Sequence, residues 1–294
     1  MLDHDRLFKL LIETFFEEFI MLFLPDAFEA IDFSDITFLN QEIFTDLMEG
    51  EKKVVDLLVK TRLRGEDSII LIHVEPQSYY QENFNERMFI YHNRLYEKHR
   101  LPILPVALFT YDENKIEPDE FVIQFPFKKI VSFKYVTIEL KKLPWRQYIQ
   151  QDNPIAAALL SKMGYTKKEK VKVKKEFLRM LLRLQLDPAR MQMLTSFFET
   201  YLKLDEKEQL ILMEEIQMME PKEEAELMEL ITSWEKKGRE EGERRRGEKK
   251  GREEGEKQEK IKIAKNMLKK GTDEAFIIEV TGLSKEELEE IKKA

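Results

Sequence analysis

The sequence predicts an α+β N-terminal domain, a mixed sheet flanked by helices, followed by an all-α C-terminal region. Three observations carry this. Two β-rich runs, VVDLLVKTRL and SIILIHVEP, flank the turn Arg64-Gly65-Glu66-Asp67, where Gly65 supplies the backbone freedom a tight turn needs. Around that hairpin the elements read, in order, helix, three strands, helix, strand. From about Pro154 onward, helix-capping signatures and helical periodicity replace the β-rich runs. The expected organisation is a sheet domain over 1–150, a helical region over 151–234, a charged Gly-containing linker over 235–260 and a small helical module over 261–294.

Composition narrows the function classes. The chain has 294 residues, 43% hydrophobic and 36% charged, enough to bury a substantial core in about two domains. It contains no cysteine, which excludes disulfides, thiol catalysis and cysteine-ligated zinc and fits a cytoplasmic location. The opening MLDHDRLFK lacks the basic region and apolar core of a signal peptide. Phe15 to Leu24 is apolar, but Glu17 and Glu18 interrupt it and it is too short to span a bilayer, so no membrane association is expected. A net charge of −8 argues against a uniformly basic coat. It leaves room for a local basic groove, because attraction to phosphate follows local potential.

Residues 3–24 read as a helix in which Leu7, Leu11, Phe15 and Phe19 recur at helical spacing and which Pro25 ends. Asp5 and Lys9 lie one turn apart on its polar side. Residues 36–47 are expected to supply the first strand. In the hairpin from Val54 to Ser78, alternation puts Val55, Leu57, Val59, Ile70, Ile72 and Val74 on one apolar face, expected to bury against helices. The other face is mixed and carries Asp56, Leu58, Lys60, Leu71, His73, Glu75 and Gln77. With Gly65 and Glu66 as the turn, Asp56 falls directly opposite Glu75, with Cβ atoms about 5 Å apart. Two carboxylates so close repel one another and raise a pKa unless a proton or cation intervenes. A hard cation with oxygen ligands, Mg2+ or Mn2+, is one explanation; two solvated carboxylates on an open sheet face are the other. A one-residue slip of the register would undo the pair.

Residues 79–99 read as a helix with Phe84, Met88, Tyr91 and Leu95 as its buried row. Arg87 and Arg94 either face phosphate or are simply solvated, and His92 and His99 read as surface residues. Leu104 to Thr110 reads as a core strand, and Phe121–Phe127 and Phe133–Leu140 as two more.

Asp56, followed on the next strand by Glu75-Pro76-Gln77, resembles the D…(D/E)-x-K motif of the PD-(D/E)XK nucleases, with Gln77 where lysine is usual. A wider ordered set resembles the recombination-promoting nuclease (Rpn) family, which carries an E-x-Q form of the motif. Its residues are Asp5-Arg6-Leu7-Phe8-Lys9, Val55-Asp56-Leu57-Leu58, His73-Val74-Glu75-Pro76-Gln77-Ser78, Arg87-Met88, Tyr91 and Leu104-Pro105-Val106-Ala107-Leu108-Phe109. The similarity covers about the first half of the chain.

The resemblance implies a Mg2+- or Mn2+-dependent DNA endonuclease that hydrolyses phosphodiester bonds in recombination or mobile-element breakage; a transposase-like role rests on the family name alone. Asp56 and Glu75 would bind the metal, joined by the Pro76 carbonyl. Metal bound there lowers the pKa of water and stabilises charge developing on the scissile phosphate. Gln77 would orient that water, but it supplies neither lysine's charge nor a general acid. Lys60, on the same predicted face, is a substitute for the missing charge, with Asp5 and Lys9 of the first helix as weaker support. The alternative is a catalytically weak or inactive nuclease-fold protein that binds DNA or a protein partner.

The helical half is marked by its caps. Asn153-Pro154 starts one helix and Gly164 ends it; Thr166 with Glu169 forms a capping box, Asp187-Pro188 starts a third helix, and Asp205 pairs with Glu208. Phe177, Leu181, Leu184 and the row Met191, Met193, Leu194, Phe197 and Phe198 read as core, the methionines as filler. Lys167, Lys168, Lys170, Lys172, Lys174 and Lys175, with Arg179 and Arg183, form the densest basic cluster. They either track a DNA backbone or form a solvated helix start.

Glycines at 238, 242, 247, 251 and 255 punctuate a charged run that reads first as a solvated helical linker. They also permit close helix–helix approach, the geometry of a homodimer through C-terminal helices. In the final module FIIEVTGLSKEELEEI resembles a helix-turn-helix, with Ser284 and Glu287 as a capping box. Glu286, Glu287, Glu289 and Glu290 would repel phosphate, so an interaction or oligomerisation module is expected rather than a DNA reader.

Overall fold

The structure, a computed structural model, describes residues 4–39, 43–45, 52–54, 57–75, 83–110, 118–233, 258–268 and 272–293. The chain forms two compact units, Met1–Glu224 and Ala225–Ala294. Among the described residues no helix is long and apolar enough to cross a membrane.

The first unit opens with α1 (His4–Thr14) and α2 (Phe16–Phe23) instead of one continuous helix. Phe15, at φ −126° and ψ 45°, leaves the helical region and breaks them apart. Pro25 begins a short helix, α3 (Pro25–Phe28), and Leu24 before it is non-helical, as a residue preceding proline tends to be. Four short or medium strands follow: β1 (Thr37–Leu39), β2 (Ile43–Thr45), β3 (Lys52–Val54) and β4 (Leu57–Leu63). Then come β5 (Glu66–Glu75), α4 (Phe84–His99), β6 (Ile103–Phe109), β7 (Glu120–Phe125), β8 (Lys128–Lys134) and β9 (Val136–Glu139).

One sheet of five strands has the order β1-β4-β5-β6-β9, and β2-β3 and β7-β8 form separate two-stranded sheets. The pairs β1–β4 and β4–β5 are antiparallel, while β5–β6 and β6–β9 are parallel. The sheet is mixed, as expected, with β6 at the heart of its parallel half. A parallel strand covered on both faces reads as a nearly unbroken apolar run, and Pro105 to Phe109 are all buried.

On one face α4 lays Phe84, Met88, Tyr91 and Leu95 into a cluster with Leu58, Ile69, Ala107 and Phe109. Leu57, Val59 and Ile70, of opposite strand parity, are buried as well. The face expected to be mixed is therefore core at Leu58 and Ile69, and α1 packs against β5. His92 differs from its expected surface position: it is half-buried against Phe133 (ring centroids 4.9 Å apart), and burial lowers its pKa.

The strands expected at Phe121–Phe127 and Phe133–Leu140 are differently divided. A turn at Pro126 and Phe127 closes a hairpin, β8 begins at Lys128, and Tyr135 separates it from β9.

The unit also contains the helices α5 (Pro154–Leu159), α6 (Lys170–Leu184), α7 (Pro188–Tyr201) and α8 (Glu206–Gln217). Asn153 caps α5 by accepting from the Ala156 amide at 3.0 Å, and its Nδ2 donates to the Glu18 carbonyl at 2.9 Å, tying α5 to α2. The capping boxes at Thr166/Glu169 and Asp205/Glu208 are formed, and Asp187 caps α7. Phe177 and Phe198 stack between α6 and α7 with ring centroids 3.8 Å apart.

The second unit includes helical residues 258–268 and the helices Glu274–Thr281 and Lys285–Lys293. Ala264, Ile277, Leu283 and Leu288 form its core.

Candidate active site

The β4–β5 hairpin sets the geometry from which the site must be built. Its ladder runs from Leu57 opposite Ile72 to Leu63 opposite Glu66. The expected register would have placed Leu57 opposite Val74, so the pairing is displaced by two residues. The turn explains the difference. Arg64 and Gly65 both have positive φ, 52° and 86°, the signature of a type I′ turn, in which glycine takes the second central position. With Gly65 in the first central position the whole ladder would move by two residues. The displacement is even, so every β4 residue keeps its expected face. Asp56 and Gln77 lie outside the described residues, and Glu75 is described by its backbone position alone.

That position is informative. Glu75 closes β5 in register with Phe109, and Phe109 in register with Glu139. These three residues form a row across parallel strands, at the carboxyl ends where open α/β sheets gather ligands. Glu139 was not singled out from the sequence, because only the parallel β6–β9 pairing brings it into this row. It is ion-paired with Lys142. Beyond it, Lys141 lies 5.4 Å over the Tyr165 ring and Lys162 lies 4.7 Å over the Tyr201 ring. Burial, helped by the charge of Lys141, pushes the Lys162 ammonium down to about 8.

The supporting residues fall elsewhere. Lys60 sits opposite Ile69, six residues before Glu75 on β5, a separation of about 20 Å along the strand. Its ammonium pairs with Asp67 at 3.2 Å, and Arg62 pairs with the same carboxyl at 3.1 Å. Hydrogen bonds from Lys60 and Arg62 hold that carboxyl below the usual range. Lys60 therefore braces the turn, and its expected role beside Glu75 is corrected. Lys9 pairs with Glu13 at 3.6 Å on α1, and Asp5 is placed on the same helix by its backbone. The Arg87 guanidinium lies 5.1 Å over the Phe84 ring.

The basic cluster of α6 is largely consumed within the fold. Lys170 pairs with Glu208 at 2.7 Å, Lys175 with Glu215, Arg179 with Glu223 at 2.7 Å, and Arg183 with Asp152 at 2.9 Å. Lys174 is buried, ion-paired with Glu199, and 5.1 Å over the Phe198 ring. Burial pushes its ammonium down to about 7. A phosphate contact at Lys174 is thus corrected: its charge points into the α6–α7 packing. Lys167 and Lys168 are exposed ahead of α6.

The C-terminal module has the parts of a helix-turn-helix. Asp273 caps the helix Glu274–Thr281 by accepting from the Ala275 amide at 3.1 Å. Gly282 ends that helix at φ 63°, in the left-handed region that favours glycine. Ser284 and Glu287 then cap Lys285–Lys293 reciprocally, at 3.0 and 3.2 Å. Two helices joined by a short Gly-containing turn are the elements such domains use. Glu286, Glu289 and Glu290 are exposed on the last helix.

Residues 257–293 match a family model described as Rpn/YhgA-like nuclease family, C-terminal HTH domain. The match supports membership of that family and points to DNA binding. It corrects the expectation of an interaction or oligomerisation module rather than a DNA reader: the acidic residues of the last helix outweigh, in sequence, the helix-turn-helix pattern around Gly282. No curated protein and no solved structure matches the chain.

Proposed function

We propose that the protein is a metal-dependent DNA endonuclease whose first unit hydrolyses phosphodiester bonds and whose C-terminal helix-turn-helix engages DNA. The observation that carries this reading is the match of 257–293 to the C-terminal HTH domain of a nuclease family. It stands downstream of a mixed sheet in which the Glu of the E-x-Q motif closes a central strand. The donor set, the Asp56 and Glu75 carboxylates and the Pro76 carbonyl, is all hard oxygen and fits Mg2+ or Mn2+. Bound there, such an ion supplies a water of lowered pKa and positive charge for the scissile phosphate. Gln77 orients the attacking water by hydrogen bonding and brings no charge of its own. Exposed Lys167 and Lys168 remain in the proposal as backbone contacts; Lys60 and Lys174 do not.

Supercoiled-plasmid cleavage in Mg2+ and in Mn2+ tests this reading, with Asp56→Ala and Glu75→Ala beside the wild type. Cutting that needs metal and disappears in both variants is the expected result. Wild type inactive in both metals, or variants that cut as well as wild type, would sink it. Gln77 in place of lysine favours a second reading, a nuclease-fold protein that binds DNA without cutting it. In that case binding stays salt-sensitive in Asp56→Ala and no metal is held.

A further inference from the structure

The β7–β8 hairpin is anchored at its base and open at its tip. At the base Phe121 stacks on Phe89 of α4 (5.0 Å between centroids), Phe133 contacts the same ring at 5.6 Å, and Asn85 donates to the Glu120 carbonyl at 3.1 Å. Along one face the pairs Phe121–Phe133 and Ile123–Val131 continue toward the turn. Past α4 this apolar strip has no cover among the described residues: Phe125 is 55% exposed and Phe127 85% exposed. The two rings stack on each other at 5.8 Å with 19° between their planes. Lys128 and Lys129 follow directly, and no acidic residue stands between Phe121 and Lys134. In a chain of net charge −8, this is a positively charged, aromatic projection from the unit that carries the candidate active site.

We propose that this hairpin is an arm that captures unpaired DNA bases, so that the substrate class of the nuclease is single-stranded or locally melted DNA. The substrate assignment rests on the nuclease reading; the binding itself does not. Phe127 presents a free ring face, and an aromatic face stacks on any base regardless of sequence. Lys128, at the tip beside the ring pair, takes the adjoining phosphate, and Lys129 can exchange its 3.3 Å contact with Glu120 for a second one. The charge favours nucleic acid over a second copy of this chain: two arms packed tip to tip would bring their lysines together.

The test is fluorescence anisotropy of the full chain with labelled oligo(dT) and with a duplex of equal length, in EDTA so that no cleavage enters. Phe127→Ala and Phe125→Ala should each weaken oligo(dT) binding about five- to a hundredfold and leave duplex binding unchanged. Both rings are exposed, so neither substitution removes core packing. Lys128→Ala should lower the slope of log affinity against log salt on oligo(dT) by about 0.7.

Equal losses on both DNAs, unchanged oligo(dT) affinity in both Phe variants, or no oligo(dT) binding by the wild type overturns the proposal. A dimer that dissociates on Phe127→Ala at unchanged DNA affinity would assign the tip to a second copy. Pelleting with phosphatidylserine vesicles that Phe127→Ala abolishes, again at unchanged DNA affinity, would assign it to a membrane; either result overturns it too. If plasmid cutting fails while the arm variants still lose oligo(dT), the nuclease reading falls and the arm stands. If cutting is metal-dependent and the arm variants bind normally, the reverse holds.

Discussion

Lys174 shows how one residue can change its meaning between sequence and fold. In the sequence it belongs to a run of lysines suited to phosphate. In the structure its ammonium is buried between α6 and α7, beside Glu199 and over the stacked rings of Phe177 and Phe198. Burial takes its pKa from the ordinary 10.5 down to about 7. Between those values the unfolded chain holds a proton that the folded chain does not, so stability must rise with pH across that window. Its contribution is fully present above pH 10.5 and is lost as pH falls through about 7. Lys174→Met should therefore be more stable than wild type at neutral pH, because a buried charge gives way to an apolar chain of similar shape. The difference should shrink toward pH 10, and urea midpoints across the pH range measure it. A variant less stable than wild type at pH 7 would mean that the Glu199 pair outweighs desolvation.

At the scale of elements, local signals were readable and register was not. The caps at Asn153, Thr166, Asp205 and Ser284 were evident because each is a contact within four residues. The α4 core row was evident from periodicity. The hairpin's pairing was not, because it turns on which residue takes positive φ at the turn. The partners of the α6 cations, Glu208, Glu215 and Glu223, lie dozens of positions away and carry no local signal. Of the candidate site, the Glu75 end of β5 was readable by resemblance, whereas its alignment with Phe109 and Glu139 needed the sheet topology.

The turn gives a direct check. Arg64 occupies a left-handed conformation that costs a side-chain-bearing residue about 1–2 kcal/mol and that asparagine tolerates better. Arg64→Asn should raise stability by a fraction of that, and Gly65→Ala should lower it by about 1 kcal/mol. Denaturant midpoints that move in the opposite senses would reject the type I′ assignment. In the last helix, exposed Glu289 and Glu290 oppose phosphate. Glu289→Gln with Glu290→Gln should strengthen non-specific duplex binding, an effect that salt screens away. No change at low salt would mean that this helix faces away from DNA.

For the whole molecule, the division into two units has a thermodynamic consequence. The core of Ala264, Ile277, Leu283 and Leu288 belongs wholly to the C-terminal unit, and the cluster around Phe84, Tyr91 and Phe109 belongs wholly to the first. Units with separate cores unfold as separate cooperative blocks, so a single two-state transition should not describe the chain. Leu288 is 1% exposed, and Leu288→Ala should cost its unit about 2–5 kcal/mol. Small units carry little stability to spare, so that change should lower or abolish one calorimetric transition and leave the other in place. The same variant separates the two proposed activities. If the C-terminal unit holds DNA and the first unit cuts it, Leu288→Ala should raise the protein concentration needed to bind duplex, while metal-dependent cutting at saturating protein persists. Loss of cutting at every concentration, with the first transition intact, would mean that the helix-turn-helix unit takes part in the cleavage step itself.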